Sequence, residues 1–258
     1  MYLQVVFPVL RLLEVKGLGN LKEIWNSRLS PNSFSELRRL TVEDCDKLLH
    51  LVPTQMRNRL QRLEYIWVKN CSSLEEIFEV GRLTVNEGNA SISQSDKIDS
   101  NISQSDQGMQ INDIMDFKQS CQGFQNLTEL YVRSCGSLRY LLAPSIARGL
   151  IKLRILEISS CEKIEAIVAA DEGEETEDES MLPQLFDLSL GDLPHLGSFS
   201  QGKYTFDWPL VQWIEINDCI KMNNFCSGSL SISREVSLYV SDSGENLEQE
   251  LNDSKKES

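Results

Sequence analysis

The sequence has few basic residues, few histidines and no long apolar run. Its 258 residues include 25 Lys and Arg against 39 Asp and Glu, which gives a formal net charge of -14 at pH 7. Nucleic acids and anionic membrane surfaces attract clusters of Lys and Arg, so this balance argues against both as the main partner. No segment approaches the roughly 18 apolar residues of a membrane span, and residues 1–10 lack the features of a secretory signal. We therefore expect a soluble, cytoplasmic protein whose partner is another protein.

Motifs for catalysis and for metal binding are also missing. The sequence has no C-x-x-C pair, and its two histidines are His50 and His195. Both observations argue against a zinc site and against a Cys/His nucleophile. No G-x-x-x-x-G-K-[ST] phosphate loop is present. Acidic pairs are abundant, but none lies beside a candidate nucleophile or a glycine-rich loop. We expect no enzymatic activity, no metal and no cofactor.

The sequence does contain a repeat. Seven segments share one pattern in which positions 0, +3, +6, +8, +11, +14 and +17 are apolar or Cys in every copy. Agreement of this kind across a chain that is 41% hydrophobic indicates one structural unit used many times. The copies begin at Phe7, Phe34, Leu60, Phe124, Leu150, Leu182 and Trp208.

The spacing of the pattern predicts one coil of a solenoid. Positions +6 and +8 lie two residues apart, which places both side chains on the core side of a short strand. Positions +14 and +17 lie three apart and suit a helical or 3₁₀ turn on the convex side. A coil of about 26 residues falls within the range of leucine-rich repeats. The predicted fold is an α/β leucine-rich-repeat solenoid of about seven repeats, with a parallel β-sheet on its concave face.

Three stretches carry a more specific pattern, L-x-x-L-x-L/V-x-x-C-x-x-L. They read LRRLTVEDCDKLLHLVP, LEYIWVKNCSSLEEIF and LTELYVRSCGSLRYLLAPSIARGL. This pattern resembles the carboxy-terminal repeats of plant nucleotide-binding leucine-rich-repeat immune receptors of the coiled-coil class, from residue 7 to about residue 228. The resemblance implies a sensor or autoinhibitory domain in plant defence, which contacts a pathogen effector, a guarded host protein or the receptor's own nucleotide-binding domain.

The same resemblance has limits. Because the chain has no phosphate loop, the ATP/ADP binding of that family is not carried over to it. The first repeat begins almost at the amino terminus without a polar capping unit, which terminal repeats usually need. We expect a fragment or a truncated relative of a longer receptor, monomeric in isolation.

The predicted repeat domain, residues 1–228, is interrupted twice. Residues 84–123 are rich in Ser, Gln, Asp and Asn and predict a disordered insertion, with a regulated docking or phosphorylation segment as the alternative. Residues 171–180 hold seven acidic residues and predict a solvated loop, with an electrostatic contact to a basic partner as the alternative. Residues 229–240 could supply capping strands for the last sheet edge, and residues 241–258 are expected to be a disordered tail.

Five of the seven cysteines occupy position +11. Leu18 and Leu193 replace Cys in the other copies, which indicates that this position is buried. Stacked coils could bring neighbouring thiols within disulfide distance, but an intracellular compartment would keep them reduced. The five buried thiols are expected at Cys45, Cys71, Cys135, Cys161 and Cys219.

The candidate binding surface is the concave face. Its exposed residues should be at positions +5, +7 and +9, because these point away from the core residues of each strand. Exposed Tyr, Trp and Arg are frequent anchors of protein interfaces, and looping out the insertion makes the third and fourth repeats neighbours. The alternative is that convex-side loops or the insertion cover the aromatic rings. The predicted partner-binding residues are Tyr65, Trp67, Lys69, Glu129, Tyr131, Arg133 and Trp213.

Two rival functions are less well supported. A substrate-recruiting leucine-rich-repeat subunit of an F-box ubiquitin ligase is the main alternative, because F-box repeats also favour Cys at the turn, but no F-box helices precede this array. An extracellular receptor usually has Asn at that position. The immune function therefore depends on the resemblance and on no residue's chemistry.

Overall fold

The computed structural model describes residues 7–25, 30, 33–79, 124–170, 180–244 and 246–255. The described residues wind into a parallel β-solenoid with a spacing of about 26 residues, which confirms the predicted fold class. The predicted insertion at 84–123 lies outside the described residues. The predicted acidic loop does too, except for Ser180.

Each coil contributes one strand to a parallel sheet of eight strands, and shorter strands pair on the other side of the solenoid. The strands of the main sheet, in their order across it, are β1 (Leu12–Lys16), β2 (Arg39–Glu43), β4 (Tyr65–Lys69), β6 (Glu129–Arg133), β8 (Ile155–Ser159), β10 (Asp187–Gly191), β13 (Trp213–Asn217) and β15 (Ser237–Ser241). The remaining strands are β3 (His50–Val52), β5 (Glu76–Phe78), β7 (Tyr140–Leu142), β9 (Ala166–Val168), β11 (Ser198–Ser200), β12 (Thr205–Trp208) and β14 (Ser229–Ile232).

The convex side contains little helix in the described segments. A 3₁₀ turn covers Thr54–Met56, and helix α1 covers Pro144–Gly149. Helix α1 begins with Pro144 in its first turn, where a missing backbone N–H costs no hydrogen bond. No described helix is long and apolar enough to cross a membrane.

The strand register is continuous across the long gap in the sequence. Tyr65 of β4 pairs with Glu129 of β6, and Trp67 pairs with Tyr131. On either side the offset is 26 residues, as in the pairing of Arg39 with Tyr65. Equivalent positions of successive coils therefore stand side by side.

The repeat pattern accounts for the core. In the six coils that begin between Phe34 and Trp208, every one of the seven pattern positions is buried. In the first coil only Val15 is buried, while Phe7 is 40% exposed and Leu18 is 50% exposed. The burial predicted for position +11 is therefore wrong at Leu18, because no described coil stacks on the outer side of β1. Leu193, with neighbours on both sides, is fully buried.

The cysteine column is buried as predicted, and its thiols have a local partner. The Cys45 Sγ lies 3.4 Å from the carbonyl oxygen of Glu43, the last residue of β2. The same contact to the residue two positions earlier recurs at Cys71, Cys135, Cys161 and Cys219. A small, apolar side chain with a weak donor therefore suits the point where each strand ends. All five thiols are free.

The residue before this column has a left-handed backbone in every coil. Its φ is 56° at Asp44, for example, and 54° at Ser160. Residues other than Gly, Asn and Asp seldom adopt this conformation, which turns the chain out of the strand. The eight residues are Gly17, Asp44, Asn70, Ser134, Ser160, Asp192, Asp218 and Asp242.

The carboxy-terminal end has strands within the region predicted to supply caps, residues 229–240, but its tail differs from the prediction. Strand β15 extends the main sheet as an eighth rung beside β13, and β14 pairs with β12. The disordered tail predicted from residue 241 is wrong for the described part, because helix α2 spans Leu247–Asp253. Leu247 and Leu251, one helical turn apart, are fully buried. The Glu250 carboxylate also accepts the Phe225 backbone N–H at 2.8 Å, which joins α2 to the last coils.

Candidate partner-binding surface

Alternating burial along each strand creates the concave face. In β4, Ile66 and Val68 are fully buried, whereas Tyr65, Trp67 and Lys69 are half-buried and face away from the core. Strand β6 follows the same alternation. Successive side chains of a strand point to opposite sides, so the apolar core positions fix which residues form the outer face.

Three rings on this face form one aromatic cluster, consisting of Tyr65, Trp67 and Tyr131. The ring centroids of Tyr65 and Tyr131 are 5.5 Å apart, and those of Trp67 and Tyr131 are 5.4 Å apart. Both separations are typical of favourable tilted ring pairs. The Arg39 guanidinium stands 4.3 Å from the centre of the Tyr65 ring. The structure thus brings together the aromatic residues that the sequence predicted to form one patch.

The Tyr131 hydroxyl group has a fixed partner. It donates a hydrogen bond to Glu129 Oε2 at 3.0 Å. Burial raises the pKa of Tyr131 above its usual value, and the hydrogen bond and negative charge of Glu129 raise it further. The hydrogen bond from Tyr131 to Glu129 fixes the orientation of the hydroxyl group.

Arg133 is exposed at the edge of the aromatic cluster and reaches across the next strand. Its guanidinium is 2.9 Å from Glu157 Oε1, and its Nε donates to Ser159 Oγ at 3.0 Å. An exposed ion pair of this kind contributes about 1 kcal/mol or less to stability. Lys69 stands beside Arg133 in the register of β4 and β6, so two cations border the cluster.

Trp213 does not join the cluster. It lies on β13, and β8 and β10 separate that strand from β6. Its side chain is 42% exposed, and its indole Nε1 donates to Glu215 Oε2 at 3.2 Å. The seven predicted residues therefore form two groups on the concave face, six on adjacent strands and Trp213 apart from them.

Comparison with known families supports the repeat assignment. The family described as plant disease resistance protein RPS2-like, leucine-rich repeats, matches residues 8–162 and 110–234, which together make up most of the chain. The chain belongs to this family. Neither a curated protein nor a solved structure gives a significant match.

Several concave residues of this RPS2-like repeat domain were missed by the sequence analysis. Arg39, which stacks on Tyr65, occupies position +5 of the second coil, and Glu157 and Asp187 occupy outer positions of the fifth and sixth coils. The alternation that predicts exposure at positions +5, +7 and +9 predicts all three, as it does Glu215 in the seventh coil.

The concave face also carries a surface depression. A depression of about 410 Å³ opens over the first three coils, and Arg39, Tyr65 and Trp67 form part of its wall. Among the described residues, no group of three or more His, Cys, Asp and Glu side chains could hold a metal ion. The RPS2-like domain thus presents ring faces, hydrogen-bond donors and charges on a regular sheet.

Proposed function

We propose that this repeat domain binds a protein partner through its concave face and acts in plant defence. The partner is a pathogen effector, a guarded host protein or the nucleotide-binding domain of a parent receptor. The domain carries out no reaction of its own, needs no cofactor, works in the cytoplasm and is a monomer in isolation. The single observation that carries the proposal is the aromatic cluster on the outer face of β4 and β6.

The physical support is that these rings are large, partly exposed and already ordered. Tyr and Trp bury much area while losing few rotatable bonds, so they contribute strongly where they meet a partner. Here each ring packs against another, and Arg39 covers one face of Tyr65. A pre-ordered cluster on a rigid sheet loses little conformational entropy on binding.

The family match supports the immune role over the F-box alternative. It concerns plant disease resistance proteins and extends over most of the chain, including the coils that carry the aromatic cluster. The formal charge of -14 further favours a protein partner over nucleic acid.

The test is capture from plant extract with the native chain and with the double variant Trp67→Ala, Tyr131→Ala. We expect the double variant to lose at least about tenfold in affinity for the captured protein, because buried aromatic anchors contribute roughly 2 kcal/mol or more each. Circular dichroism should show a folded protein with only a modest decrease in Tm, since the core positions are untouched. Quantitative mass spectrometry of the captured material provides the measurement.

The matched control is Tyr140→Ala. Tyr140 is also a half-buried tyrosine, but it begins β7 on the other side of the solenoid and contacts Arg139 and Glu165. Its removal should leave the captured protein unchanged. If the control variant loses the partner as strongly as the double variant, or if neither loses it, the concave face is not the binding surface.

A further inference from the structure

Beyond the aromatic cluster, the concave face changes character. Apart from Ile155, the outer positions of β8 and β10 are occupied by small and acidic residues, among them Ser159, Ser189 and Gly191. Larger aromatic side chains stand on both flanks: Tyr131 on β6, and Trp213 and Tyr239 on β13 and β15. We name the short and acidic side chains between these rings the acidic trough and define it by Glu157, Asp187, Ser189 and Glu215.

The acidic trough has the width of one polypeptide segment. Strands β6 and β13 are separated by three strand spacings of the sheet, which amounts to about 14 Å. Because the flanking side chains occupy part of that distance, the space left suits one extended chain and not a helix, which is about 10–12 Å across. The exposed Trp213 ring, with 42% of its surface accessible, and Tyr239, with 53%, form the far wall.

Negative charge in the trough is compensated by the concave face only at Glu157, which pairs with Arg133 of β6 at 2.9 Å. None of the outer positions of β8, β10, β13 and β15 holds Lys or Arg. The nearby Arg154 guanidinium lies 5.3 Å from the centre of the Phe186 ring.

Asp187 lies at the centre of the trough. No hydrogen bond or ion pair joins its carboxylate to the rest of the described chain, although the side chain is half-buried. Burial raises the pKa of Asp187, and the negative charges of Glu157 and Glu215 raise it further. A bound cation would relieve both effects at once, since it replaces lost solvation and offsets the repulsion.

We propose that the acidic trough binds a Lys- or Arg-bearing segment of the partner protein, whose cationic group lies between Asp187 and Glu215 and whose alkyl stem rests on Trp213. Charge complementarity selects this occupant, because the trough joins the carboxylates of Asp187 and Glu215, which form no ion pair within the described chain, to an exposed ring face. These two features attract a guanidinium or ammonium group. The interaction of Arg39 with Tyr65 shows the same pairing within the chain. This inference rests on the proposed function and specifies the chemistry of its partner.

The experiment uses a displayed library of short random peptides as the probe, selected on the full chain at about 0.15 M salt to screen long-range attraction. The most enriched peptide is then labelled, and its Kd is measured by fluorescence anisotropy. The trough variant is Asp187→Asn with Glu215→Gln. The control variant, Glu75→Gln with Glu162→Gln, removes the same charge from exposed positions outside the outer face of the sheet.

We expect enriched peptides to contain Lys or Arg and to bind the trough variant about tenfold more weakly than the native chain. The control variant should bind within about twofold of native, because exposed charges far from the peptide are screened. Replacing the peptide's own Lys or Arg by Gln should cost as much as the trough variant does. Equal weakening of the trough and control variants would mean that only net charge matters, and would overturn the inference.

The remaining outcomes separate this inference from the proposed function. Enriched peptides without Lys or Arg that nevertheless fail to bind the Trp67→Ala, Tyr131→Ala protein would overturn the acidic trough and leave concave-face binding standing. Peptides that bind every concave-face variant with the same Kd as the native chain would overturn both the acidic trough and concave-face binding. A selection that enriches no peptide would also overturn the trough, while capture from plant extract would still test the concave face.

Discussion

At the scale of single residues, the left-handed position that ends each strand decides how a coil turns. Eight residues in this position share a positive φ, and they are Gly, Asp, Asn or Ser. A left-handed backbone costs an ordinary L-residue about 1–2 kcal/mol, whereas Gly adopts it without strain. Asp and Asn are tolerated because their short polar side chains bond locally. Ser134 and Ser160 are therefore the coils' least favourable turn residues.

We predict that Ser160→Gly stabilises the protein by about 0.5 kcal/mol, because relief of backbone strain exceeds the entropy cost of Gly in the unfolded chain. Ser160→Val should destabilise it by about 1–2 kcal/mol, since a branched side chain opposes the same conformation. The measurement is urea denaturation followed by circular dichroism. Ser159→Gly, one residue earlier and inside β8, is the control and should lower stability. A stabilising Ser159→Gly would contradict the argument.

At the scale of elements, neighbouring coils are joined by ion pairs between equivalent turns, yet these contribute little. Arg38 pairs with Glu64, and Arg139 with Glu165, across 26 positions of sequence. These side chains are exposed, so solvent screens the attraction. The buried pattern positions and the continuous strand pairing stabilise the stack instead.

Close approach of two strand segments makes one glycine indispensable. A Cβ on Gly228 would meet the carbonyl oxygen of Tyr204 at 1.9 Å, where the Ser229 N–H already bonds to that oxygen. Because backbone atoms cannot move aside without breaking the pairing of β12 and β14, Gly228→Ala should destabilise the protein by about 2 kcal/mol or more.

The matched change is Gly136→Ala, where no atom lies within 4 Å of the added Cβ. It should alter the free energy of unfolding by no more than about 0.5 kcal/mol. Both variants can be compared with the native protein in one urea series. Equal effects of the two substitutions would show that the contact at Tyr204 is not limiting.

At the scale of the whole molecule, the two ends of the described solenoid are unlike. The first coil exposes much of its apolar pattern, with Leu18 at 50% accessibility, whereas helix α2 covers the last coils with Leu247 and Leu251. In a repeat array each coil contacts only its neighbours, so stability can vary along the stack. The first coil should open most readily and the middle coils least.

We predict that Leu251→Ala releases the carboxy-terminal coils without unfolding the rest. Replacing a fully buried Leu by Ala lowers the free energy of unfolding by about 2–5 kcal/mol. The destabilised part should be the coils that α2 covers. Amide hydrogen exchange should show faster exchange in β15 and β13 but unchanged protection in β4 and β6. Leu210→Ala, at a site 54% exposed, should leave the exchange pattern unchanged. Uniform loss of protection across the sheet would indicate one cooperative unit instead.

The sequence by itself determined the period, the core columns and the residues of the concave face. Each depends on spacing over a few residues, and backbone geometry converts such spacing directly into a side of a strand. The eighth rung also left a signal, because S-L-Y-V-S-D before Ser243 repeats the form of W-I-E-I-N-D before Cys219. This rung departs from the repeat pattern at Ser243, which stands where the earlier coils have Cys or Leu.

Only the tertiary structure decided which distant residues meet. The pairing of β4 with β6 joins residues 64 positions apart in the sequence and places Tyr131 against both Tyr65 and Trp67. The sequence predicted this contact only on the assumption of continuous stacking. Exposure of the first coil, docking of α2 and the isolation of Asp187 among other carboxylates likewise depend on neighbours. The physical reason is that the exposure of a side chain and the electrostatic environment of a carboxylate depend on all the groups packed around them. Repeat spacing alone does not specify those groups.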